Sequence, residues 1–150
     1  MLLRDTLASV IAQPFVLPGP VGEVARHRRP AWHNPESHAL VLTGVRRCGK
    51  STLQRQIRDQ HGGEAVMINL EDTRLFGLGP EDFAAVIDIL DAAHPGAAVY
   101  LDEVQEVPEW QRLVRALLDR GRHVCLTGSN ASLLGRELGS KLTGRHLTHE

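Results

Sequence analysis

The chain carries two cysteines in 150 residues. Cys48 and Cys125 lie far apart and in no metal-like spacing, so neither a disulfide framework nor a thiolate metal site is expected, and free thiols in a reducing cytosol are the simplest reading. There is also no excess of charge of either sign: the formal net charge is −1. That excludes a global basic field drawing the whole molecule onto nucleic acid. No apolar run approaches the roughly 18 residues of a membrane span. The first residues, Met1-Leu2-Leu3-Arg4-Asp5, lack the basic stretch and apolar run of a signal peptide. A cytoplasmic location away from membranes is the expectation. Internal repeats and low-complexity tracts are absent as well. What is present, 42% hydrophobic and 23% charged residues, is the profile of one soluble domain with a sizeable core.

Leu3, Leu7, Val10 and Ile11 stand at helical spacing and predict a short amphipathic helix over about residues 2–13, docked on the core. From Pro14 to about Ser37 five prolines break any regular element. Arg26, His27, Arg28 and Arg29 form a small basic run there, read as a solvated loop, with a phosphate contact to DNA or another partner as the functional alternative. Residues 1–38 thus form an N-terminal helix and proline-rich linker ahead of a regular region, 39–150.

In that region strands and helices alternate. Ala39–Thr43 is a continuous apolar run fit for a strand buried on both faces. A helix from about Gly49 to Gln60 carries Leu53 and Ile57 on one face. Ala65–Leu70 is a second strand. Pro80 to Ala92 reads as a helix, with Pro80 in its first turn and Phe83, Val86, Ile87 and Leu90 in register. Ala97–Leu101 is a third strand. Pro108–Arg120 is the clearest helix, with Trp110, Leu113, Val114, Leu117 and Leu118 in one stripe and Gly121 as its stop. His123–Thr127 is a fourth strand, followed by a short helix at about 131–138 and a last strand starting near Arg145. This alternation predicts an α/β fold with a mostly parallel sheet of about five strands and helices on both faces, a three-layer α/β/α sandwich.

Chemistry concentrates at the strand ends. Gly44-Val45-Arg46-Arg47-Cys48-Gly49-Lys50-Ser51, continued by Thr52, matches a phosphate-binding P-loop between an apolar strand and a helix. Gly44 and Gly49 let the backbone turn sharply around anionic phosphates. Successive N–H groups form an anion nest, and the following helix aims its unpaired N–H groups at the same place. Lys50 supplies positive charge for the β- and γ-phosphates of a nucleoside triphosphate, and the Ser51 hydroxyl suits Mg²⁺. The strand Val99-Tyr100-Leu101 ends in Asp102-Glu103, where an open parallel sheet binds ligands. Asp102 would hold the Mg²⁺ shell, and Glu103 would orient and deprotonate the attacking water.

Leu126-Thr127-Gly128-Ser129-Asn130 ends the fourth strand, beside the Asp102 strand. Asn130, or Ser129, would hydrogen-bond the γ-phosphate or the water; an ordinary turn capped by either is the alternative. Arg136 and Arg145 are the candidates for charge stabilisation in phosphoryl transfer, a role that a neighbouring copy can also fill in trans. Glu71 and Asp72, after the second strand, are weaker candidates for facing the site through water. The His146-Leu147-Thr148-His149-Glu150 end lacks the zinc-protease spacing and lies in a predicted strand.

The segments LTGVRRCGKSTL, INLEDTRL, VYLDEVQEVPEWQRLVRALLDRG and LTGSNASLLGRELGSKLTGR, in this order, resemble the bacterial and archaeal AAA+ ATPases that carry an uncharacterised domain after the ATPase core. The resemblance covers about residues 39 to 149. It implies a P-loop NTPase core of five strands in which the fourth strand separates the Asp-Glu strand from the P-loop strand. It implies ATP as the nucleotide, Walker A at Gly44 to Ser51, Walker B at Asp102 and Glu103, a sensor at Ser129 or Asn130, and an arginine at Arg145. Members of that group run on through a lid and a further domain, so this chain is expected to be an ATPase core that stops inside its fifth strand. The leading expectation is ATP hydrolysis with Mg²⁺. A nucleotide-dependent binding module with little turnover competes with it, and a small-acceptor kinase is a third reading.

Overall fold

The described residues of the computed structural model are 2–12, 39–44, 49–61, 64–129 and 146–149. The order of elements is α1 (Arg4–Ala12), β1 (Ala39–Thr43), α2 (Lys50–His61), β2 (Ala65–Asn69), α3 (Phe83–Ala93), β3 (Ala98–Asp102), α4 (Trp110–Asp119), β4 (Val124–Gly128) and β5 (His146–His149). Short 3-10 turns stand at Thr73–Leu75, Pro80–Asp82 and Val104–Glu106. The helix expected at about 131–138 and the proline-rich stretch lie outside the described residues.

All four strand pairings are parallel, and the sheet runs β2-β3-β4-β1-β5. Strand β4 therefore lies between the P-loop strand β1 and the Asp-Glu strand β3. The continuous apolar runs are explained by burial on both faces: every residue of β1 and of β4 is buried. Alternate side chains go to opposite layers. Ala39, Val41, Val66, Ile68, Val99, Leu101, Val124 and Leu126 face α1, α3 and α4 in the larger core. Leu40, Leu42, Met67, Ala98, Tyr100 and Cys125 face Leu53 and Ile57 of α2. The result is the three-layer sandwich that the pattern predicted.

Helix α1 belongs to the larger core through Leu7, Val10 and Ile11. Its entry is tied down by Asp82, a buried carboxylate that accepts from the backbone N–H of Leu2 (2.7 Å) and of Gly79 (3.2 Å). At the opposite end of the sheet from the P-loop, the guanidinium of buried Arg122 donates to the carbonyls of His94 (2.9 Å) and Ala97 (2.8 Å) and to Asp91 (2.8 Å). Hydrogen bonding from Arg122 holds the Asp91 carboxyl below its usual range. Among the described residues no helix is long and apolar enough to cross a membrane.

Candidate functional site

The C-terminal ends of β1, β3 and β4 converge. Thr43 stands opposite Gly128 in the β1–β4 pairing, and Asn69 opposite Asp102 in the β2–β3 pairing. The β3–β4 pairing extends only to Leu101 and Leu126. Beyond it the two strands part, and side chains take over the work of the ladder.

Gly44 and Gly49 bracket the segment expected to bind phosphate with positive φ, 152° and 91°. A side chain at Gly49 would be strained in that left-handed conformation, which accounts for glycine there. Helix α2 starts at once, its first turn closed by the Leu53 N–H on the Gly49 carbonyl (2.9 Å). Lys50 is buried and donates from Nζ to the Gly44 carbonyl (3.0 Å), so its ammonium spans the mouth of the loop. Val45, Arg46, Arg47 and Cys48 lie outside the described residues; Thr52 follows on the first turn of α2.

Ser51, beside Lys50, donates from Oγ to Asp102 Oδ2 (2.9 Å). The other carboxylate oxygen, Asp102 Oδ1, accepts from the hydroxyl of Thr127. Thr127 Oγ1 in turn accepts from the backbone N–H of Glu103 (3.0 Å). Glu103 itself has left-handed backbone angles, φ 58° and ψ 56°, uncommon for a residue with a side chain. Its Oε2 accepts from Ser129 Oγ (2.5 Å) and from Gln105 Nε2 (2.6 Å). One continuous hydrogen-bonded path thus runs from the start of α2 through both acidic residues to the loop after β4.

Of the residues expected from sequence, the structure brings together Gly44, Gly49, Lys50, Ser51, Asp102, Glu103 and Ser129. Asn130, Arg136 and Arg145 lie outside the described residues. Asp72 is engaged by the Arg74 guanidinium (2.6 Å), which holds its carboxyl below the ordinary range. Three polar residues with no role in the sequence reading also join the site. Thr127 joins the two acidic residues. Gln105 grips Glu103. Gln54, fully buried on α2, donates from Nε2 to the carbonyls of Leu101 and Cys125 (3.3 Å each), bridging β3 and β4 just before they part. For Gln54 the signal was a polar residue one position after Leu53, on a turn that faces the sheet. For Gln105 there was none, because its reach depends on the backbone turn at Glu103.

The donor set suits a hard divalent cation. A serine hydroxyl that gives its proton to a carboxylate keeps its lone pairs available for a metal, and both groups offer oxygen. Among the described residues no cluster of three or more His, Cys, Asp or Glu side chains is suited to a metal. Cys125 takes no part: burial pushes its thiol well above the ordinary range, and it stays neutral.

Comparison with known proteins agrees with this arrangement. An uncharacterized protein of Methanocaldococcus jannaschii is 34% identical over 111 residues, 73% of this chain and 25% of the relative. An uncharacterized protein of Haemophilus influenzae is 35% identical over 116 residues, 71% of this chain and 29% of the relative. The chain therefore spans between a quarter and a third of the length of these relatives. A family model described as an AAA domain matches residues 36–150. With its glycine-bracketed loop, its Asp-Glu strand and a strand inserted between them, the chain belongs to the AAA-domain family of nucleotide-binding, P-loop ATPase-like proteins.

Proposed function

We propose that the chain binds ATP with Mg²⁺ on the segment from Gly44 to Thr52 and hydrolyses it to ADP and phosphate. The observation that carries this reading is the path Ser51–Asp102–Thr127–Glu103–Ser129, which joins the phosphate-binding helix to a second carboxylate. The backbone N–H groups of the loop and of the α2 start would hold the phosphates, with Lys50 leaving the Gly44 carbonyl for the β- and γ-phosphates. Ser51 and Asp102 would hold the cation, whose chemistry is to neutralise charge on the phosphate oxygens. Glu103 would accept a proton from the water whose oxygen attacks the γ-phosphorus as the bond to the β–γ bridging oxygen breaks. Asn130 is assigned to the γ-phosphate or the water, and Arg145 to the developing charge, with self-association in trans as the other source of an arginine.

The competing reading is a nucleotide-loaded module that changes affinity for an unknown protein or DNA partner, with little turnover. One pair of variants tests both. Lys50→Ala is expected to abolish Mg²⁺-dependent ATP binding in calorimetric titration. Glu103→Gln is expected to keep binding and lower turnover at least about a hundredfold. ATP binding indifferent to Lys50 would refute the site. Binding by the unmutated chain without measurable hydrolysis would leave the module reading in place of the enzyme.

A further inference from the structure

The Glu103 carboxylate is gripped on one oxygen by two donors, Ser129 Oγ at 2.5 Å and Gln105 Nε2 at 2.6 Å. The carboxylate acceptor makes both hydrogen bonds charge-assisted. The orientation of the Gln105 amide is chemically determined, because turning it over would set two acceptor oxygens against each other at the same distance. With Nε2 committed to Glu103, the amide oxygen is left buried and without a hydrogen-bond partner among the described residues. Such a group is costly. The side chain therefore gives up its acceptor to keep its donor on Glu103.

The mount of Gln105 is rigid. The turn Val104–Glu106 is closed by the Glu106 N–H on the Glu103 carbonyl (3.2 Å) and the Val107 N–H on the Val104 carbonyl (3.1 Å). Val104 and Val107, on either side, are buried in the larger core. The left-handed backbone at Glu103 folds the chain so that a side chain two residues on reaches back to the carboxylate.

We propose that Gln105 is a positioning residue for Glu103: it pins Oε2, so that Oε1 is the oxygen presented to the attacking water. The inference rests on the reading of Glu103 as the base. The two donors differ in kind. A hydroxyl can swing its proton to a phosphate oxygen, so Ser129 can leave Glu103 when nucleotide binds. The Gln105 amide, on its fixed turn, holds the carboxylate meanwhile.

Single-turnover hydrolysis by the full chain with Mg²⁺ and ATP tests this, using Gln105→Met, which keeps the bulk and removes the donor. The hydrolysis rate should fall about tenfold to a hundredfold, the cost of a misplaced catalytic group. The dissociation constant for ATP should stay within about twofold, since only transition-state positioning is lost. In a Glu103→Gln background the same substitution should have no further effect. Gln105→Met at the wild-type rate, with Glu103→Gln inactive, would overturn the inference alone, and so would a loss that adds to that of Glu103→Gln. Unimpaired hydrolysis by Glu103→Gln, or none by the wild type, would instead remove the reading of Glu103, and this inference with it.

Discussion

Thr127 shows how much one hydroxyl can organise. It is fully buried at the end of β4, donates to Asp102, and accepts from the backbone N–H of Glu103. Valine has the same shape without the hydroxyl, so Thr127→Val should leave the half-buried Glu103 N–H and one Asp102 oxygen without their Thr127 partner. The expected cost is about 1–3 kcal/mol of stability, read as a lower urea midpoint at unchanged slope. ATP turnover should fall with it, because both carboxylates lose an anchor. A midpoint equal to the wild type would show that the hydroxyl is dispensable. The acidic pair and Ser129 were legible in the sequence because an apolar strand ending in polar residues points to a ligand edge. Thr127 was not, although it stands in the same segment. Its partners depend on β3 and β4 parting after Leu101 and Leu126, a tertiary fact that no local pattern encodes.

At the scale of elements, hydrophobic period carried the reading. The α4 stripe Trp110, Leu113, Val114, Leu117 and Leu118 is buried throughout, and β1 has the predicted bounds, Ala39–Thr43. Helix starts were less legible. The stretch expected to be helical from Pro108 begins at Trp110, because Glu109 takes a left-handed conformation (φ 55°, ψ 29°) before the first turn. Likewise Pro80 opens a 3-10 turn, and α3 proper starts at Phe83. Gly121, expected as the stop after α4, has φ 72°, the left-handed conformation that favours glycine at a helix end. Glu109 adopts a similar conformation without that freedom, and among the described residues its carboxylate makes a long, exposed pair with Arg112 (3.4 Å). Asparagine tolerates the left-handed region better and suits a helix start. Glu109→Asn is therefore expected to raise stability by about 0.5–1 kcal/mol, measured by urea unfolding. A loss of stability would mean that the Arg112 pair outweighs the backbone strain. Glu103 has nearly the same backbone angles, but there the conformation aims a carboxylate at Ser129 and Gln105. Relieving it should cost function.

For the whole molecule, alternation of strands and helices predicted the class and the parallel sheet, but not the strand order. Periodicity places each residue on a face and leaves the neighbours of each strand open. Placing the fourth strand between the P-loop and Asp-Glu strands came from the family resemblance, and the order β2-β3-β4-β1-β5 agrees with it. That order has an energetic consequence. The loop after β1 proposed to bind phosphate, Asp102 and Thr127 come from three adjacent strands and from the start of α2, which packs on the sheet through Leu53 and Ile57. A ligand that engages all of them binds only the folded chain, so it should stabilise the fold as a unit. At a hundred times its dissociation constant, Mg²⁺-ATP is expected to add about 2.7 kcal/mol. For a domain of this size that corresponds to a rise of about 5–10 °C in Tm. Thermal unfolding followed by circular dichroism, with and without nucleotide, measures the shift. Relative to its own ligand-free Tm, Lys50→Ala should lose the nucleotide-dependent rise, because the ammonium that stands at the Gly44 carbonyl is gone. An equal rise in Lys50→Ala would place the nucleotide somewhere other than the segment between β1 and α2.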